Sequence, residues 1–120
     1  METGGLGNTL PKKERLSGKT DISNLLKNGK WGNCSGLRYC FLNNTGKDFN
    51  RILISVPKKH FKRAVNRNLL KRRIRESYRT QKGLLSIPGG TDILFFYDMK
   101  DILEYSRIHE LVGQILSQIK

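Results

Sequence analysis

The stretch of sequence that decides the fold is SVPKKHFKRAVNRNLLKRRIRESYR, residues 55–79. Its spacing predicts a strand end, a loop at Pro57, and then a helix over residues 64–81 with Gly83 as the stop signal. Successive helical residues turn by about 100°, so one side of the helix collects Leu70, Ile74, Ser77 and Tyr78. Another side carries an i, i+4 ridge of four cations, Arg67, Lys71, Arg75 and Arg79. The helix therefore has one face for a sheet and one face for an anionic partner.

The charge of the chain is concentrated in the same region. Residues 58–82 hold eleven basic residues and a single acid, Glu76, and so carry +10 of the whole chain's +13. A merely solvated basic face usually interleaves both signs of charge. We therefore expect a polyanionic partner, nucleic acid first of all, and composition leaves DNA and RNA open.

The rest of the chain supplies the elements that this helix needs to pack against. Apolar spacing predicts a first helix over residues 19–28 and a last helix over residues 104–119. Two strands, residues 37–42 and 51–56, are predicted to form a β-hairpin around the turn cluster at residues 43–50, and a weaker signal marks a strand at residues 31–34. The apolar run ILFFY predicts a central strand over residues 92–97 that is covered on both faces.

This order of elements predicts a small α/β sandwich with at least two helices on one sheet. We expect a flexible N-terminal segment over residues 1–15 and a single domain over residues 16–120. No apolar run is longer than the one at residues 93–97, and no secretory signal is visible. We therefore expect a cytoplasmic location and no membrane partner. Cys34 and Cys40 are expected to be free thiols, and no zinc pattern accompanies them.

Catalytic chemistry is poorly represented in the sequence. The only local group of acids is Asp92, Asp98 and Asp101, and the first two bracket a strand, which places them about 20 Å apart. We therefore expect strand-end and helix-cap roles for these acids, with no catalytic residue and no metal site in the chain. Trp31 is interpreted as a packing residue, and His60 is left open between a phosphate contact and an ordinary side chain.

The quoted stretch resembles the signature of the bacterial ribonuclease P protein component family. The resemblance rests on Lys58, Lys59, Ala64, Val65, Arg67, Asn68, Lys71, Arg72 and Arg75. At lower resolution it extends over roughly residues 10–118. It implies an α+β fold, in which a mixed four-stranded sheet and three helices include a left-handed β-α-β crossover.

The resemblance also implies a division of labour. A catalytic RNA subunit would perform magnesium-dependent removal of the 5′ leader from precursor tRNA, with Mg²⁺ bound mainly by that RNA and the substrate, and with one copy of the chain per RNA. The expected RNA-binding residues are Lys58, Lys59, Arg63, Arg67, Asn68, Lys71, Arg72, Arg75 and Arg79. The expected wall of a leader cleft consists of Ile22, Leu26, Arg38 and Cys40.

Two departures from the family pattern affect these expectations. Leu69 stands where many members carry a third signature cation, so that contact is lost or is supplied by Arg63 or Arg72. Ile22 and Leu26 stand where two phenylalanines are common, and aliphatic side chains cannot stack on a base. Two other classes remain open at this point, namely a structural RNA-binding protein of the ribosomal type and a self-sufficient nuclease, the latter disfavoured by the lack of clustered carboxylates.

Overall fold

Three helices and four strands make up the computed structural model, which describes residues 10–85 and 89–119. In chain order the elements are α1 (Lys19–Asn28), β1 (Lys30–Cys34), β2 (Leu37–Leu42), β3 (Arg51–Ser55), α2 (Ala64–Gln81), β4 (Asp92–Tyr97) and α3 (Tyr105–Gln118). Short 3-10 turns lie at Lys12–Glu14 and Lys82–Leu84. The three predicted helices are thus confirmed, each within one residue of its expected ends. No helix in this part of the chain combines the length and apolar character needed to cross a membrane.

The four strands form one mixed sheet in the order β1-β2-β4-β3. β4 is antiparallel to β2 and parallel to β3, so α2 is the crossover between two neighbouring parallel strands. Most of β4 is buried, which confirms the prediction of a central strand. The expected mixed four-stranded sheet with three helices is therefore present.

The predicted hairpin between the second and third strands is wrong. β2 pairs instead with β1, through a tight turn at Ser35 and Gly36, whose φ angles of 50° and 98° are both positive. β4 then inserts between β2 and β3, and the turn cluster after β2 carries the chain across its end. The physical reason is that a strand as apolar as β4 needs a neighbour on each side and cover on each face.

The sheet separates two apolar cores of unequal size. The larger core lies between the sheet and helices α2 and α3, and it includes Leu70, Ile74 and Phe95. The smaller one lies under α1 and consists of Leu16, Leu25, Cys40, Leu94 and partly buried neighbours. Because successive side chains of a strand point to opposite faces, β4 contributes to both cores. Among residues 10–85 and 89–119, α1 is the one helix on its face of the sheet, and a groove lies beside it.

The domain begins before the expected boundary at Leu16. Leu10 is only 1% exposed and belongs to the larger core, and Arg15 bridges to Ile52 of β3. The backbone N–H of Leu16 donates to the carbonyl of Ile52 at 2.7 Å. β3 is an edge strand, and its unpaired backbone groups accept this extra segment. Residues 10–15 are thus part of the fold, and the remainder of the expected flexible segment, residues 1–9, lies outside the described residues.

Candidate nucleic-acid interface

Helix α2 presents its charge to solvent as its periodicity predicts. It buries Leu70, Ile74, Ser77 and Tyr78 against the sheet and α3. The residues that we call the basic face lie on the helix and on the loop before it, and all are exposed or half-buried: Lys58, Lys59, Arg63, Asn68, Lys71, Arg72 and Arg75. Arginine forks and lysine ammonium groups at such a surface are suited to phosphate oxygens.

Two members of the predicted cationic ridge have protein partners. Nη1 of Arg67 donates to the carbonyl oxygens of Phe61 and Lys62, both at 2.8 Å, and so holds the loop that leads into α2. Arg79 forms a salt bridge with Glu76, at 2.6 Å between Nη2 and Oε1. This hydrogen bonding raises the pKa of Arg79. Glu76 thus compensates the last cation of the ridge, and Arg67 has a structural role besides any contact with RNA.

Lys71 and Arg75 lie beside a third cation that the sequence analysis did not select. Together with Arg15 they line a pocket of about 160 Å³ at the edge of β3, whose other lining residues are aliphatic. Burial, and secondarily the charge of Arg15, lower the pKa of Arg75. A phosphate group placed here would reduce the repulsion between these cations. In the sequence, Arg15 could have been selected because it belongs to a short group of basic residues just before α1.

The basic face is connected to the open face of the sheet through Asp98. Nε2 of His60 lies 3.2 Å from Oδ1 of Asp98, so His60 is directed toward this carboxylate. Nη1 of Arg38 lies 4.0 Å from Oδ2 of Asp98 on the opposite side. The loop that carries Lys58 and Lys59 and the strand that carries Arg38 are therefore neighbours, with Asp98 between them.

A groove runs between α1 and the sheet on that face. We call it the α1 groove; it encloses about 280 Å³ and is lined by Leu26, Trp31, Arg38, Leu53, Ser55, Leu94 and Phe96. The structure thus places two of the four expected cleft residues, Leu26 and Arg38, on its wall. Its floor is apolar and its rim carries one cation, which suits the bases and the backbone of an unpaired strand respectively.

The other two expected cleft residues are placed differently. Cys40 is fully buried beneath α1, with its Sγ 3.5 Å from the carbonyl oxygen of Leu25, and so does not reach the groove wall. Ile22 is half-buried against the smaller core and borders a shallow depression beside Leu26. The expectation for Cys40 is therefore wrong, because α1 packs directly over this position of β2.

Trp31 is the residue of the groove that sequence reasoning missed. Expected to be a packing residue, it is 47% exposed on the edge strand β1. Its segment, KWGNC, shows no apolar alternation, and only Cys34 is buried there. The exposure of Trp31 could have been inferred from the sequence, because its neighbours in this strand are mostly polar residues and a glycine.

Comparisons with known proteins identify the family to which the chain belongs. The family model described as Ribonuclease P matches residues 10–120, which begin at the first residue of the larger core. This chain belongs to the ribonuclease P protein family. The chain is 34% identical to the ribonuclease P protein component of Petrotoga mobilis, over 95% of this chain and 98% of that protein. Membership makes it an RNA-binding protein of tRNA processing that is associated with a ribonuclease.

Solved structures of the ribonuclease P protein family share the fold. The chain is similar to the RNase P protein of Thermotoga maritima, with 31% identity, a TM-score of 0.76, and coverage of 89% of this chain and 98% of that one. It is also similar to the RNase P protein of Staphylococcus aureus, with 26% identity, a TM-score of 0.73, and coverage of 86% and 92%.

Two acids of this ribonuclease P protein that the sequence placed at the ends of a strand have side-chain partners. Asp92 is 3% exposed and pairs with Arg51, and Asp98 faces His60. Within residues 10–85 and 89–119, no three His, Cys, Asp or Glu side chains lie close enough together to hold a metal ion. Cys34 and Cys40 are free and buried, and burial raises the pKa of each thiol.

Proposed function

We propose that this chain is the protein subunit that binds the catalytic RNA of ribonuclease P and the 5′ leader of precursor tRNA, and so assists magnesium-dependent 5′ maturation. The observation that carries the proposal is the adjacency of two surfaces. The basic face lies next to the α1 groove, because Leu53 of β3 lines both this groove and the pocket beside Lys71 and Arg75. One surface has the chemistry for a folded phosphate backbone and the other for an unpaired strand.

The basic face would bind the RNA subunit and the region near the cleavage site. Arg63 and Arg72 are exposed on either side of Leu69, so they are available to supply the cation that the signature lacks at that position. Lysine and arginine side chains on phosphates displace condensed counterions, which makes the affinity depend strongly on salt. The same charges reduce repulsion between phosphates, so fewer free magnesium ions are needed to bring the RNAs together.

Hydrolysis would be carried out by the RNA subunit, with Mg²⁺ held by that RNA and by the substrate. Two of the acids support this division, because Asp92 pairs with Arg51 and Asp98 lies 4.0 Å from Arg38. The contribution of the chain is positioning: it binds the RNA, guides the leader and offsets charge. We place this assembly, with one copy of the chain per RNA, in the cytoplasm.

The α1 groove would accept the leader. Its apolar floor, formed by Leu53, Leu94 and Phe96, offers surface for bases, while Arg38 at the rim offers a partner for the backbone. Mature tRNA has no leader, so this groove would distinguish precursor from product. A structural RNA-binding protein of the ribosomal type, the alternative considered from sequence, has no comparable support from the family match.

Reconstitution with the ribonuclease P RNA of the same organism tests the proposal. Cleavage of precursor tRNA is titrated with magnesium in the presence and absence of the chain, and we expect the chain to lower the magnesium midpoint. The chain alone, incubated with precursor tRNA and magnesium, is expected not to cleave. An unchanged midpoint would reduce the role to structural RNA binding. Robust cleavage by the chain alone, abolished by Asp92→Ala or Asp98→Ala, would instead indicate a protein nuclease.

A further inference from the structure

Trp31 has an unusual position for the only tryptophan of a small protein. It projects from the edge strand β1 with nearly half of its surface exposed, beside the α1 groove. Tryptophan is the largest apolar side chain, and leaving it this exposed gives up hydrophobic stabilisation that burial would provide. About half of the ring is therefore available for contact with a molecule bound in the α1 groove.

The guanidinium group of Arg38 lies over two aromatic rings, those of Trp31 and Phe96. The guanidinium carbon of Arg38 lies 5.3 Å from the centre of the Trp31 ring and 5.7 Å from that of Phe96. Both distances are within the range of cation–π attraction. Arg38 thus bridges the exposed ring at the rim and the half-buried ring of the floor. This arrangement orients Trp31 while leaving part of its ring open to solvent.

Helix α1 cannot provide such a ring. Leu26 is its one residue that lines the groove, Ile22 borders the depression beside Leu26, and both are aliphatic. Stacking on an unpaired base requires an aromatic face or a guanidinium plane, and aliphatic side chains provide neither. If a base of the leader is held by stacking at the exposed rim of the groove, Trp31 is the ring available there.

We propose that Trp31 is the base-stacking residue for one unpaired nucleotide of the leader, with Arg38 holding the ring and contacting the adjacent phosphate. This inference rests on the proposed function and adds a specificity-determining residue to it. Every base has a π face, so the site accepts all four, and differences in stacking strength favour a purine over a pyrimidine at this one position. The contact is supplied from the edge of the sheet instead of from α1.

The lone tryptophan makes a direct test possible. The complex of the chain with ribonuclease P RNA is titrated with precursor tRNA and with mature tRNA, and tryptophan emission is recorded. We expect the precursor, and not mature tRNA, to change the emission of Trp31. Equal changes with the two tRNAs, or no change with either, would overturn the assignment.

Variants and abasic leaders locate the contact. Trp31→Leu keeps an apolar side chain but removes the ring, and we expect it to weaken precursor binding by roughly fivefold or more. Trp31→Phe should stay within about twofold of the parent, because it retains a stacking face. Ile102→Ala, which truncates another exposed apolar side chain that does not line the groove, is the matched control and should have no effect. Thermal melting of each variant accompanies the binding data.

An abasic site scanned along the leader completes a double-mutant cycle. With the parent chain, one abasic position should weaken binding, and with Trp31→Leu the same position should have no further effect. Additive losses at every position would exclude stacking on Trp31. A chain that still lowers the magnesium midpoint in that case would leave the proposed function intact, whereas an unchanged midpoint would contradict the proposed function itself.

Discussion

Arg51 and Asp92 face each other at the first positions of the parallel strands β3 and β4, and their side chains form two hydrogen bonds of 2.8 Å each. The Arg51 side chain is 11% exposed and that of Asp92 is 3% exposed, so the pair is buried. Nη1 of Arg51 also reaches Asp21 of α1 at 3.1 Å. The hydrogen bond to Asp92 raises the pKa of Arg51, which keeps the guanidinium charged. One side chain thus links α1 to both parallel strands.

Removing the arginine should therefore strongly destabilise the fold. Arg51→Met would leave Asp92 buried without its cation, which typically costs about 3–5 kcal/mol. Asp21→Asn, at a side chain that is 49% exposed, should cost less than about 1 kcal/mol. Urea unfolding of both variants at pH 7 measures the two losses. A methionine variant within about 1 kcal/mol of the parent would show that the buried pair contributes little.

The cations of α2 should contribute unequally to RNA binding. Each phosphate contact adds about 0.7 to 0.9 to the slope of log affinity against log salt. Lys71→Ala and Arg72→Ala should each flatten the slope by about that amount. Arg79→Ala should change it much less, because Glu76 already compensates this charge. Binding of the RNA subunit between 50 and 200 mM salt, about the range over which such slopes are measured, gives the comparison. Equal slopes for Lys71→Ala and Arg79→Ala would contradict it.

The periodicity of α2 predicted the direction of these side chains but not their partners. Arg67, Lys71, Arg75 and Arg79 share one ridge because they are four residues apart, and the helix is where it was expected. The partner of Arg67 is a pair of carbonyl groups in the preceding loop, and Lys71 and Arg75 lie beside Arg15. Such contacts depend on how loops and strands meet in space, which residue spacing does not encode.

Arg67 should affect stability as well as RNA binding. Arg67→Ala removes the donor of two hydrogen bonds to carbonyl oxygens, and we expect a loss of about 1–2 kcal/mol in the free energy of unfolding. Arg63→Ala is the matched control, since Arg63 is exposed four residues earlier and should leave stability within about 0.5 kcal/mol. Chemical denaturation reports the difference. Equal stability of the two variants would show that the loop does not need Arg67.

The pairing of the strands was the part of the fold that could not be predicted from the sequence. Helices are local, so their bounds follow from spacing, whereas the partners of a strand are chosen by contacts distant along the chain. β2 and β3 flank a turn-forming cluster and each reads as half of a hairpin, yet both pair with β4. β1 gave a weak signal because only Cys34 of its five residues is buried. The same weak signal concealed the exposed position of Trp31.

Stability should fall at alkaline pH through groups buried in their neutral form. Burial raises the pKa of Cys40 and that of Tyr78, so in the folded chain they keep protons that the unfolded chain releases. The unfolded state then binds fewer protons above about pH 9, and the free energy of unfolding falls by up to about 1.4 kcal/mol per pH unit for each group. Below that pH these groups contribute no slope.

Urea unfolding between pH 7.5 and 10.5 tests the assignment of this slope. Cys40→Ala should flatten the decline that begins near pH 9, where its unfolded thiol ionises, and Tyr78→Phe should flatten only the part above about pH 10. The slope is the readout, because each substitution also lowers stability at every pH by altering a core. Slopes identical to that of the parent in both variants would assign the alkaline transition to other groups.

Helix α1 offers a charge-placement test of the groove itself. Leu26 is 44% exposed on the groove wall, whereas its neighbour Leu25 is fully buried, so a glutamate should be tolerated at the former and not at the latter. Leu26→Glu would place a negative charge beside the proposed path of the leader phosphates. Two like unit charges about 4 Å apart repel each other by about 1 kcal/mol in bulk water and by about 4 kcal/mol near a protein surface. Precursor tRNA should therefore bind the holoenzyme at least about fivefold more weakly, with mature tRNA unaffected.

Asn24→Glu is the matched control, because it makes the same charge change on the same helix at a residue that borders the opposite flank. It should lower precursor affinity much less than Leu26→Glu, since any long-range repulsion is screened within about 10 Å at 0.1 M salt. Circular dichroism melts establish that both variants are folded before binding is compared. Equal losses for precursor and mature tRNA in a folded Leu26→Glu chain would mean that the leader does not pass through the α1 groove. A selective loss that shrinks as salt is added would identify the contact as electrostatic and the groove as the leader's path.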